Sequence, residues 1–294
     1  MRVVIALLFI TSLAAAQDTD SLFNRLQGIT FGQGMDFFNV DGIEISYIPK
    51  QCEFTPKAIA KNYRPFKVKA TDITTADDNL GRPNYFVSKT FERAPGLTGY
   101  SDYWFVKDGD RVLSVSFQSA HEIDPVLARR IVVLCADRGM PQSIYQPEGN
   151  TKMNFAGREI ELGGSCRWMG VNNLQCPYNG QMNWSSHKTL EAAKAELEDH
   201  FNFVNAGQRG KVTSDQEVDA VFEGQDVKAR KVIFDFTGVT SALVGMSGGK
   251  TLTIYMIAAP VRGKFLSAVI SHWNNDAVNE NGLPALAAEV MTLK

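Results

Sequence analysis

Two stretches of this chain share one plan. "YWFVKDGDRVLSVSFQSA" (103–120) and "MIAAPVRGKFLSAVISHW" (256–273) are each an apolar run, a tight polar turn and a second apolar run containing Leu-Ser. Asp108-Gly109 marks a two-residue hairpin turn in the first, and Arg262-Gly263 sits at the matching place in the second. A helix pattern follows each hairpin. After the first, Asp124 is a cap, Pro125 suits the first helical position and Gly139 is a stop; Leu127, Ile131 and Leu134 fall on one face. After the second, Pro284 opens a run in which Leu283, Leu286, Val290 and Leu293 keep helical spacing. Earlier in each half, "FNVDGIEISYIPKQC" (38–52) and "FAGREIELGGSC" (155–166) both begin with Phe, both carry apolar-Glu-apolar, and both reach a cysteine.

The expected fold is therefore α+β: two tandem, duplicated modules, each an antiparallel sheet packed with helices. An N-terminal segment (17–34) precedes a first module at 35–140. A linker at 141–151 lies within "MPQSIYQPEGN", which is polar with two prolines, and a second module fills 152–294. The second half holds the best helix pattern, "TLEAAKAELEDHFNF" (189–203). Its apolar face is Leu190, Ala193, Leu197 and Phe201, with Thr189 as cap and Glu191 near the positive N-terminus. The first half has only the shorter "TPKAIAKNY" (55–63) in that place.

The segments "YFVSKTFER", "DYWFVKDGDRVLSVSFQSA" and "DPVLARRIVV" together resemble the closing section of Mog1/PsbP-like α/β/α domains. The resemblance covers about a third of each half and rests on element pattern. It implies a fold, a sheet with a helix packed back on it, and mainly binding or accessory roles. It implies no active site.

The chain begins "MRVVIALLFITSLAAAQ". A basic Arg2, a short apolar run and three alanines predict a secretory signal over 1–16, cleaved before Gln17. No later stretch approaches the length of a membrane span, so a soluble periplasmic or secreted protein is expected, with no stable membrane insertion. The formal net charge is −2 and no Lys/Arg run stands out, which argues against nucleic acid. The four cysteines (52, 135, 166, 176) lack the C-x2-C spacing of a metal site and predict disulfides in an exported chain. The expected pairing is Cys52–Cys135 and Cys166–Cys176, one within each module. Trp168, Trp184 and Tyr178 crowd the second pair and are read as its apolar shield.

"GMSGGKT" (245–251) contains G-x-S-x-G, the pattern of a serine nucleophile elbow. An elbow needs a helix after the serine. The stretch that follows, "KTLTIYMIAAP", is β-branched and aromatic, so a strand is expected. The hydrolase order Ser, acid, His also fails, because His272 precedes Asp276, Glu280 and Glu289. A P-loop fails because Val244 stands where it needs glycine. "HEID" (121–124) lacks the second histidine of a zinc helix. Glu196 and His200 are spaced i, i+4, which suits a ligand pair but more often a surface contact. Asn183-Trp184-Ser185 is a glycosylation sequon. No metal or cofactor is expected. The leading functional expectation is a non-catalytic binding or accessory protein whose partner is another protein or an envelope or extracellular ligand. The alternatives are a serine hydrolase using Ser247 and His272, and an inhibitor or immunity-type protein acting on another exported protein.

Overall fold

Both hairpins form where the turn residues predict them. A computed structural model describes residues 22–32, 34–207, 210–237 and 249–294; the segment 1–16, expected as a leader, lies outside these. Arg262 and Gly263 both adopt positive φ (47° and 76°), the backbone of a type I′ turn, and Val261 pairs with Lys264 across them. In the other hairpin Gly109 alone is positive (61°), and Asp108 pairs with Arg111. Each hairpin sits inside a larger antiparallel sheet.

The first sheet comprises β1 (Gln27–Thr30), β2 (Asp36–Val40), β3 (Ile43–Gln51), β4 (Asn84–Ala94), β5 (Leu97–Asp108) and β6 (Arg111–Ser119), in the order 1-2-3-6-5-4. Helix α1 (Pro56–Asn62) lies between β3 and β4 in the chain, and α2 (Pro125–Ala136) follows β6. Period-two alternation gives the sheet two apolar faces. Trp104, Val115 and Phe117 meet Ile131, Val132 and Cys135 of α2. Tyr103, Phe105 and Val112 meet Ile59 of α1 and Tyr63 just beyond it. The expected caps are in place: Asp124 accepts from the Val126 amide, Pro125 opens α2, and Thr55 accepts from Ala58.

The second sheet has eight strands: β9 (Arg167–Gly170), β10 (Asn173–Cys176), β11 (Gly180–His187), β12 (Gly210–Phe222), β13 (Gln225–Phe236), β14 (Thr251–Val261), β15 (Lys264–Trp273) and β16 (Met291–Leu293). Their order is 16-12-13-14-15-11-10-9. A separate hairpin, β7 (Lys152–Phe155) and β8 (Arg158–Glu161), covers one face together with the short α4 (Ala285–Ala288). The long α3 (Leu190–Ala206) covers the other. Both sheets follow one course: a three-strand meander, a helix, a second meander whose last strand returns beside the first, and a closing helix.

Three expectations are corrected. First, Cys52 and Cys135 are not bonded, whereas Cys166–Cys176 is a disulfide with Cα atoms 4.0 Å apart. Cys135 packs with α2 on one face of the first sheet, and Cys52 packs with the α1 cluster on the other. The sheet itself separates the two thiols. Second, "FAGREIELGGSC" is not the counterpart of "FNVDGIEISYIPKQC". The former is the detached β7–β8 hairpin; by sheet order, β10–β11 corresponds to β2–β3. Third, the C-terminal helix stops at Ala288. Met291–Leu293 instead pairs with β12, so Val290 is buried in the turn before a strand and Leu293 is half-buried within it, neither on a helix face.

The segment expected as a linker is packed. Ile144 is buried against α2's cluster, the Gln146 amide donates to Gly28 O (2.8 Å), and Tyr145 Oη donates to Asp36 (3.1 Å). β1 joins the first sheet although it precedes residue 35. Buried polar groups tie the two halves together. Asn172 Nδ2 donates to Gln27 Oε1 (2.6 Å), Gln146 Nε2 donates to Asn172 Oδ1 (3.3 Å), and the Asp41 amide donates to Ser186 O (3.0 Å). Of the expected aromatic shield, Trp184 is buried and Trp168 packs against the same core, while Tyr178 is exposed.

Candidate ligand-binding site

Helix α3 roofs a cavity in the second half. Thr189 Oγ1 accepts from the Ala192 amide (3.1 Å) and fixes the helix start. The apolar stripe then buries Ala193 and packs Leu197 against Val232, Ile254 and Met256. Toward the C-terminal end of the helix this contact opens. His200, Phe203, Val204 and Gly207 form a roof over β13, β14 and β15, and a cavity of about 420 Å³ remains between them. That volume lies within the roughly 300–1,000 Å³ range of small-molecule sites.

The floor divides by strand. Phe234 and Phe236 of β13, Leu252 and Ile254 of β14 and Val269 of β15 are apolar. Asn173, Gln181, Asn183 and Ser271, from β10, β11 and β15, make the polar side. Gln181 Nε2 donates to Asn173 Oδ1 (3.1 Å), which orients both amides. The third wall comes from the first half, as Arg93, Ala94 and Pro95 at the end of β4. The site is thus shared between the two sheets.

Charge at this wall is unbalanced. Arg93 is the extra residue of a β-bulge: Glu92 pairs with Thr98 and Ala94 with Leu97, leaving Arg93 without a partner. A bulge re-aims its side chain. Here the guanidinium lies over the Phe203 ring, 5.2 Å from its centroid. Burial, then Arg93, lowers the pKa of His200, which keeps the ring neutral near pH 7. One turn earlier, burial raises Glu196 to about 7, with Asp199 and Glu44 adding to the rise and Arg93 opposing it. Glu196 and His200 gain no third ligand: no metal-holding cluster exists among the described residues.

Of the two catalytic candidates, His272 alone falls among the described residues. Ser247 lies outside the described residues. The chain after Lys250 is β14, a strand where an elbow needs a helix N-terminus. His272 sits on the opposite face of the sheet from the cavity, stacked on Tyr255 (6.3 Å), with Nδ1 3.2 Å from Trp273 O. Burial lowers its pKa. Sequence reading missed a different Ser–His contact, between His187 Nε2 and Ser267 Oγ (2.8 Å). Both residues are at most 3% exposed, burial pushes His187 down to about 4, and the nearby Asp41 is committed to Arg25 (2.9 Å). That pair is a sealed structural hydrogen bond. Asn183 of the sequon is in mid-strand and faces the cavity.

No protein-family model and no curated protein matches the chain. Among solved structures it is similar to a crystal structure from Bacteroides thetaiotaomicron VPI-5482. The identity is 13% and the TM-score 0.26, over 37% of this chain and 40% of that one. The chain therefore spans well under half of that relative. It is also similar to the di-domain ARO/CYC StfQ from the steffimycin biosynthetic pathway, with 10% identity and a TM-score of 0.16, over 90% of this chain and 77% of that one. Neither likeness is close enough to carry an argument about function.

Proposed function

We propose that this chain is a non-catalytic binding protein that works outside the cytoplasm, and that it takes a small organic ligand in the cavity beneath α3. The observation that carries the reading is the cavity itself: an apolar floor, one polar side and a wall borrowed from the other half. Side-chain amides and a hydroxyl fix the orientation of a ligand, while the apolar floor supplies affinity. The disulfide and the leader-like N-terminal sequence support export. The common strand course supports an origin of the two halves by duplication, with α3 lengthened in the second to roof a site.

A neutral solvatochromic dye, Nile red, tests the reading. Saturable one-to-one binding is expected, and Val269→Trp, which fills the floor, is expected to abolish it. Undiminished dye binding by Val269→Trp and by Ile254→Trp would overturn it. A fluorophosphonate probe tests the hydrolase alternative: labelling lost in Ser247→Ala would replace the binding reading with an enzyme.

A further inference from the structure

We infer that the ligand of this cavity is an amphipathic organic anion, with its apolar body on the β13–β14 floor and its carboxylate against Arg93. The inference rests on the cavity being a ligand site and adds the chemical class.

Three observations converge on Arg93. First, its guanidinium has no carboxylate within ion-pair distance among the described residues, whereas Arg230, which lies over Phe201 of the same helix, is paired with Glu198 and Asp215. The adjacent Glu92 is turned away, with Oε1 accepting from the Gly96 amide (3.3 Å). Glu196 is the acid that interacts with Arg93 at longer range, and burial raises its pKa to about 7, so that it carries only part of a charge at neutral pH and less below it. Arg93 therefore presents a guanidinium without a direct carboxylate partner, among the described residues, at a cavity wall. An arginine presents a planar set of donors that fits a carboxylate in two places at once.

Second, the fold makes room for this side chain. The bulge in β4 places Arg93 out of register. Across the hairpin stands Gly99, where a Cβ would come within 2.5 Å of Arg93 Cγ and 2.8 Å of Cδ. Glycine there lets the arginine stem lie flat over the strand on its way to Phe203. Third, the rest of the cavity suits the other end of such a ligand. Phe236, Leu252 and Val269 offer no partner for a second charge, and His200 is held neutral. A cation is disfavoured by Arg93, and a ligand charged at both ends would bury one charge on an apolar floor.

Displacement of Nile red by three ligands with one tail gives the test: decanoate, decan-1-ol and decyltrimethylammonium. The full chain is expected to bind decanoate about tenfold more tightly than the alcohol, and the ammonium most weakly. Arg93→Gln is expected to remove the preference for decanoate while leaving the alcohol unchanged, and Arg93→Lys to restore part of it. Gly99→Ala, which moves the arginine without altering its charge, is expected to act like Arg93→Gln in weaker form. Equal affinity for decanoate and decanol in the unmodified protein would overturn the anion inference and leave the cavity reading standing. If no decyl ligand competes and Val269→Trp changes nothing, the cavity reading fails and takes the inference with it.

Discussion

Replacing Glu196 with glutamine should change how stability depends on pH, and by a definite amount. Glu196 projects from α3 over the Asp41–Gly42 turn, where Gly42 leaves no room for a Cβ beneath the carboxyl. Burial is the main cause of its shift, from 4.5 to about 7. An acid whose pKa rises on folding binds its proton more tightly in the native state. Stability is therefore full below 4.5 and falls as pH climbs through 7. The shift corresponds to a loss of about 3 kcal/mol above pH 8 relative to pH 4. Glu196→Gln keeps the shape and removes the titration. The two proteins should be close in stability near pH 4.5 and diverge to about 3 kcal/mol by pH 8.5, with the variant more stable. Urea unfolding of both across that range is the assay. Taking the difference cancels the titrating groups common to both that lie away from Glu196. Parallel stability curves would refute the reasoning, because they would place Glu196 in a solvent-like environment.

Two further outcomes follow from the packing. Asn172→Gly should cost about 2–4 kcal/mol in urea unfolding, since Gln27 and Gln146 lose a buried partner; glycine isolates that loss, because Asn172 sits at a φ of 55° that glycine accepts. An unchanged midpoint would mean the seam between the halves is solvated. Unfolded but unreduced protein should show two reactive thiols, and native protein should alkylate only Cys52, because Cys135 is buried and its thiol is pushed up by that burial. Finding no free thiol would restore the Cys52–Cys135 bridge.

Local signals in the sequence were informative where the physics is local. Turn glycines placed the β5–β6 and β14–β15 hairpins, and Asp124, Pro125 and Thr189 placed the starts of α2 and α3. The failures concern which face of a sheet a residue occupies relative to distant chain. Cys52 and Cys135 both read as apolar positions beside a sheet, but alternation along β3 and the docking of α2 put them on opposite sides. Leu293 fits a helical period and a short strand alike, and pairing with β12 decided for the strand. At the candidate site, α3 was legible from its apolar stripe. The cavity was not, because it depends on the helix diverging from the sheet near His200. Arg93 reads as one charge in "FERAPG", and only the two-against-one pairing of the bulge shows where it points. The Gly in "LTGY" is the one trace of that arrangement in the sequence.

The central claim is that a ligand sits between α3 and the eight-stranded sheet. Methyl-labelled protein titrated with decanoate tests it most directly by NMR. Leu252, Ile254, Val269 and Val204 methyl signals are expected to shift together and saturate, with intermolecular contacts to the decanoate chain, while those of Ile131 and Val132 under α2 stay still. Saturation with the four cavity methyls unmoved, or contacts gathered elsewhere on the surface, would contradict the account.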